Sequence, residues 1–577
     1  MQLGRRLTLP SDGKYTRSAM PQPQISRRSL LAASLALPAA AGGQSAPPAT
    51  GYVDILRPPD QMTAHLGNQT VPLKPEGPRW TGQGIAVESN PQGAELPISI
   101  EAPRTPLERI HLRWRARVPE RWRILNDQWE RSYGDLEWRG MIGERILPWY
   151  FQAFDGQATH GYGVATGASC FAFWQVDPEG ISLWLDVRNG GGAVSLGQRK
   201  LDAAVIHAQR GAPGESAFES ARSFCRVLCA KPRLAAQPSY GSNNWYYAYG
   251  RNCSAQVMLR DSSLTADLAP DGKNRPFVVI DDGWQLTNAA GPWERGNSRF
   301  PDMAGLAAQM KQRGVRPGIW MRPLYTTAAI PPSARLERRD DLPNATIDPT
   351  VPDMLDLVRQ DIRRAVSWGF ELVKHDYTSF DLLGRWGFAM GAELTSAGWH
   401  FADRTKTTAE VTLALYRAIR EAAGDALLIG CNTFGHLGAG LFELQRTGDD
   451  TSGREFNRTR RMGVNTLAFR APQHGAFFAL DADCAPITPD VPWEFSARWL
   501  DLVARSGTAL FVSPDPKALT PDTRAAIKQA FAAAADPQPL AEPLDWMETT
   551  TPGRWRIQGK TVNYDWYGAE GATPFPG

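Results

Sequence analysis

Apolar and polar residues alternate along this chain in two rhythms, and the rhythm changes near Pro238. Before that point, short runs such as RIHLRWRARV, CFAFWQV and ISLWLDV alternate residue by residue and are separated by Gly, Pro and Asn-Gly. A period of two belongs to strands with one covered face, so residues 51–237 are expected to form an N-terminal β-sandwich. Helical spacing first becomes strong in AFESARSFCRVLCA (217–230), read as a helix leading out of the sandwich. The fragment WERSYGDLEWRG (129–140) is dense in Trp and carboxylates. It is read as an exposed hairpin, the alternative being a loop that reaches into a neighbouring site.

After Pro238, apolar runs alternate with amphipathic stretches, the pattern of repeated strand–helix units around parallel strands. The candidate strands are SNNWYYAY, PFVVIDDGW, RPGIWMRPL, FELVKHDYT, ALLIGCNT, LQRTGDD, GAFFALDAD and GTALFVSPD. Helices are expected at 304–314, 354–369, 408–424 and 523–535. Eight strands over roughly 280 residues predict a (β/α)8 barrel. The class is therefore α/β, with the barrel over residues 238–537 and a small β segment over 538–577.

In such a barrel the reactive groups gather at the carboxyl ends of the strands. Here strand after strand ends in polar residues. The second ends in Asp281, Asp282 and Trp284, the third in Arg322, the fourth in Lys374 and Asp376. Cys431 and Asn432 close the fifth, Arg446, Asp449 and Asp450 the sixth, Asp481 and Asp483 the seventh. Lys374 and Asp376 are two apart and share a face, so the lysine is expected beside the aspartate, favouring its ionised form. His375 should point the other way, into the barrel wall.

Composition narrows the chemistry. A net charge of +3 over 577 residues, with both signs mixed, argues against nucleic acid as partner. The six Cys make no disulfide framework, and neither they nor the eight His form a zinc signature, so no metal and no cofactor are expected. Twenty Trp offer flat faces that serve sugar stacking as well as core packing. Paired carboxylates with short polar neighbours suit hydrolysis of a glycosidic bond, and adjacent carboxylates such as Asp281 and Asp282 suit neighbouring hydroxyls of a sugar. The expected partner is an oligosaccharide or glycoside; oligomeric state is open.

The order of these motifs resembles the melibiase-type α-galactosidase clan, glycoside hydrolase families 36 and 27 with the raffinose synthase-like branch. NNWYYAYG is similar to its first-strand tryptophan motif, VVIDDGWQ to its "DDGW" strand, GIWMRP to the third strand and LVKHDYT to the "K-x-D" strand. RTGDDT and ALDAD resemble the acid/base strand and the late "D-x-D" segment. The resemblance implies a retaining, exo-acting α-glycosidase, with transglycosylation at the same site or a non-catalytic sugar binder as alternatives. It makes Asp376 the nucleophile and Lys374 a hydroxyl ligand, and sets Asp281, Asp282 and Trp284 around the glycone. Trp245, Arg322, Cys431, Asn432 and Arg446 complete the implied binding set. Alignment on Arg446 makes Asp450 the acid/base and alignment on an "S-D-N" form makes it Asp449; Asp450 is preferred. The chain departs from the pattern at TSF after the nucleophile, at GCNTFGH and at Arg322, which leaves the identity of the sugar open.

Near the amino end, SRRSLLAASLALPAAAGGQS (26–45) sets two arginines before a mild apolar run and small residues, with no acid between Ser26 and Val53. It reads as a twin-arginine export signal rather than a membrane anchor. Residues 1–48 are taken as leader, with Met20 as an alternative start, and the expected destination is the periplasm or the exterior.

Overall fold

The computed structural model describes residues 51–287, 289–336, 344–569 and 571–572; the leader expectation lies outside them. The period-two runs fold into two antiparallel sheets of six and nine strands. Strand Arg109–Arg115 shows the reason: Ile110, Leu112 and Trp114 point inward and are fully buried, while the charged positions between them are not. Helix Ala217–Leu228, capped by Ser216 at the Glu219 amide, lies on strand Thr159–Val164. Gly161 permits that approach, since a Cβ there would come within 2.3 Å of the Phe224 ring.

The rest of the chain closes an eight-stranded parallel barrel, each strand paired to the next and the eighth to the first. The strands are Tyr240–Asn243, Phe277–Ile280, Arg316–Met321, Leu372–His375, Leu427–Gly430, Leu444–Arg446, Ala479–Ile487 and Ala509–Pro514. Helices run between them, including Ala255–Leu268 and Trp493–Arg505, which the spacing did not single out. A three-stranded sheet, Glu542–Pro543, Arg554–Ile557 and Lys560–Asn563, follows. Its Trp555 packs with Trp499 and Trp546. No described helix is long and apolar enough to cross a membrane.

Two expected strands are displaced. SNNWYYAY was expected to be extended, but the strand ends at Asn243 and Trp245–Ala248 form a helical turn. The asparagines bend the chain: Asn243 Oδ1 accepts the Trp245 amide and Asn244 Oδ1 accepts the Asp281 amide. Asn side chains commonly compete with strand pairing in this way. The seventh strand starts later than GAFFALDAD and continues past its aspartates to Ile487, with a register shift between Asp481 and Cys484. Asp483 sits in that bulge at φ 68°, so both acids lie within the strand and not at its end.

Alternation explains why the fourth strand carries charge. Leu372 belongs to an apolar layer inside the barrel with Phe277, Val279, Ile429, Leu444, Ala509 and Phe511. Val373 faces outward to the helices with Val278 and Leu428. By the same alternation Lys374 and Asp376 turn inward above that layer. His375 turns outward against Phe442 and Tyr416, where burial drives its pKa down to about 3.

Candidate active site

Above the apolar layer the inward positions form a polar ring. Asp281 Oδ2 accepts from Lys374 Nζ at 2.8 Å and from Asn243 Nδ2 at 2.6 Å. Burial works against the Lys374 charge, but Asp281, with Cys431 and Asp483, holds its pKa well above the usual lysine value. The lysine is therefore the partner of Asp281. Asp376 has other partners: Trp320 Nε1 donates to its Oδ2 at 3.1 Å and the Tyr377 amide to its Oδ1 at 2.7 Å. Tyr377 adopts a left-handed backbone, φ 63°, a strained conformation of the kind that collects at functional sites.

The sixth strand supplies the cationic side. Arg446 bonds Asp483 at 2.7 Å and reaches Asp450 at 3.3 Å and Cys431 Sγ at 3.4 Å. Asp483 also takes the Tyr246 hydroxyl and the Thr451 amide. Burial pushes the Cys431 thiol well up, with Asp376 adding to the rise. Burial likewise raises Asp481 to about 6. Asp450 is the most exposed acid of this group, with 36% of its side chain open. Burial would raise its pKa, but Arg446, Arg131, Lys374 and Arg458 outweigh it and bring the carboxyl to about 2. Both oxygens of Asp449 are held by arginines, Arg131 at 2.7 Å and Arg458 at 2.5 Å. Burial raises the Tyr377 phenol first, and the charges of Asp376 and Asp450 both add to that rise, so carboxylates from the fourth and sixth strands act on one hydroxyl.

Other expected residues stand farther from an open surface. Trp284 is fully buried and donates its indole N–H to the Trp320 carbonyl at 2.9 Å, so it is core and not pocket wall. Asp282 is half-buried beside Gln285, and burial raises its carboxyl. Arg322 forms a two-pronged pair with the buried Asp381 at 2.8 and 2.5 Å, its guanidinium between the Tyr325 and Tyr377 rings. Trp245 is half-buried against Tyr249. Asn432 is buried, its side chain turned to Glu130.

Glu130 belongs to WERSYGDLEWRG, which is not an exposed hairpin. Trp129, Glu130, Arg131, Ser132, Leu136 and Trp138 are all buried. Glu130 accepts from Ser379, Asn432, Tyr133 and, at 2.6 Å, the Gly387 amide. Ser132 pairs with the segment after the sixth strand through Thr447 O at 3.0 Å and the Asp449 amide at 2.8 Å. The sandwich thus completes the barrel's rim. A cavity of about 550 Å³ on the sandwich, lined among others by Glu88, Thr166, Lys200 and Asp202, includes none of the ring residues.

No family model matches this sequence, and no curated protein matches it. Solved structures do. An α-galactosidase of Thermus thermophilus, in complex with p-nitrophenyl α-D-galactopyranoside, is 20% identical, with 88% of this chain and 99% of that one covered and a TM-score of 0.56. The fold is that of the family 36 α-galactosidases. Two such enzymes of Geobacillus stearothermophilus extend the likeness. One, in complex with 1-deoxygalactonojirimycin, is 14% identical over 81% of this chain and 69% of its own, TM-score 0.53. The other is 14% identical over 84% and 76%, TM-score 0.54. The sandwich-plus-barrel expectation and the resemblance to this clan agree with these neighbours in fold.

Proposed function

We propose that this chain is a retaining, exo-acting α-glycosidase of α-galactosidase-like specificity. The observation that carries the reading is the placement of two carboxylates from separate strands around one set of side chains. Asp376 is fixed inside by Trp320 and the Tyr377 amide; Asp450 stands at the rim with part of its side chain open. Asp376 would attack the anomeric carbon while Asp450 delivers a proton to the departing oxygen. Water then enters with Asp450 as base, and the configuration is kept. Asp281 and Lys374, already paired, would grip hydroxyls of the sugar. Both oxygens of Asp449 are taken up by Arg131 and Arg458, whereas part of the Asp450 side chain is open to a leaving group, which supports Asp450 as the acid. The neighbours solved with p-nitrophenyl α-D-galactopyranoside and stachyose support α-galactosides as first substrates.

One observation favours a second reading. Asp450 lies 3.3 Å from Arg446 and 3.6 Å from Arg131, cations that favour its ionised form, whereas an acid catalyst must carry a proton, so the same site could bind a terminal sugar without cleaving it. A panel of p-nitrophenyl α- and β-glycosides, with the first product anomer followed by NMR, separates the two. Turnover of an α-glycoside to the α-sugar supports the enzyme, and β-sugar first overturns retention. A thermal shift with free sugar but no turnover selects the binder. We further propose export by the twin-arginine route, which carries folded proteins; Arg27 and Arg28 and the six unpaired, buried cysteines support it.

A further inference from the structure

The loop from the sandwich brings one cation to the rim that no barrel strand supplies. Arg131 Nη2 lies 2.7 Å from Asp449 Oδ1 and its Nη1 lies 3.6 Å from Asp450 Oδ1. The Asp449 contact anchors the guanidinium, whose carbon lies over the Trp386 ring, 5.6 Å from its centre. The backbone at Ser132 is itself bonded to the Asp449 segment, so loop and acid are fixed in register independently of the Arg131 side chain. The same guanidinium also reaches Cys431 Sγ at 3.7 Å, so its partners beyond the loop are that thiol and the two aspartates.

We propose that Arg131 is a positioning residue that sets the proton affinity of Asp450, so that the sandwich domain controls the acid of the barrel. The proposal rests on the reading of Asp450 as the proton donor. The other groups facing Asp450 are Arg446 of the sixth strand, Lys374 of the fourth and Arg458 of the following helix. Asp449 and Asp483 oppose them, and the hydroxyls of Tyr246, Tyr249 and Tyr377 border the acid. Among the cations, Arg446 is held by Asp483 and Lys374 by Asp281, each within the barrel. Arg131 alone of these four comes from another domain, so the charge at Asp450 depends on the sandwich loop being docked on the barrel.

The test needs no substrate. Carbodiimide with an amine modifies protonated carboxyls, and fragmentation of the peptide covering residues 447–453 separates Asp449 from Asp450. At pH 5, Arg131→Met is expected to raise labelling of Asp450 about tenfold, the effect of one pKa unit, while Arg131→Lys stays near the native level. Arg131→Gln, closer in shape to arginine, serves if the Met variant fails to fold. Equal labelling of Asp450 in native, Met and Gln proteins across pH 3–6 overturns the proposal. Failure of the glycosidase reading would show separately, as absence of turnover by the native chain.

Discussion

Lys374 and Asp376 share the inward face of one strand, yet each is held by a different residue from another strand. The ammonium bonds Asp281 of the second strand at 2.8 Å, and Asp376 takes the Trp320 indole of the third at 3.1 Å. The expectation that lysine lies against aspartate came from spacing along one strand. Neighbouring strands supply nearer partners, because a barrel brings the second, third and fourth strands side by side.

Replacing Trp320 with Phe removes the N–H that orients Asp376. A hydrogen bond to a charged group is worth about 1.5–3 kcal/mol, so kcat on an α-glycoside should fall about tenfold or more. Binding of free sugar, followed by calorimetry, should change little.

Lys374→Met should cost stability more than catalysis alone explains. It leaves the Asp281 carboxylate buried with uncharged donors, the Asn243 side-chain amide and the Asp282 backbone N–H, and breaking one side of a buried pair costs about 3–5 kcal/mol. Adding Asp281→Asn should recover a good part of the loss in urea unfolding, although the double variant stays inactive.

His375 gives stability a pH dependence of known sign. Its folded pKa is lowered from 6.5 to about 3, so below pH 6.5 the unfolded chain takes up a proton that the folded one refuses. Stability should therefore fall as pH drops from 6.5 toward 3, by at most about 1.4 kcal/mol per unit for this group. His436, also near 3, acts in the same direction. Asp481, raised from 3.8 to about 6, acts oppositely between those values. His375→Leu should flatten the fall of the melting temperature between pH 6.5 and 4.5 without abolishing it.

Gly134 lets the sandwich loop lie against the barrel. Its φ is +72°, and a Cβ there would come within 2.8 Å of the Arg461 carbonyl. Gly134→Ala should cost about 1–3 kcal/mol and loosen the loop. Limited trypsin digestion should then cut after Arg131, which is buried in the native protein.

Much of this architecture was legible in the chain. The change of rhythm near Pro238 separates sandwich from barrel, and polar residues after apolar runs mark the ring. The pairings were not legible, since Arg322 with Asp381 or Arg446 with Asp483 depends on which strands adjoin. The fate of Trp284 escaped as well: a tryptophan beside two aspartates reads as a pocket wall, but its N–H finds a buried carbonyl. Glu130 and Arg131 escaped because they lie about 300 residues from Asn432 and Asp449 in sequence. The only signal was an excess of Trp and carboxylates in a loop of a sandwich.

Mechanism-based labelling tests the central claim most directly. A fluorinated α-galactosyl fluoride supplies a leaving group that needs no acid and slows release of the glycosyl-enzyme. Intact mass should then rise by one glycosyl unit, and peptide mapping should place that unit on Asp376. A glycosyl unit on any other carboxylate, or none bound while the reagent is hydrolysed, would contradict Asp376 as the nucleophile.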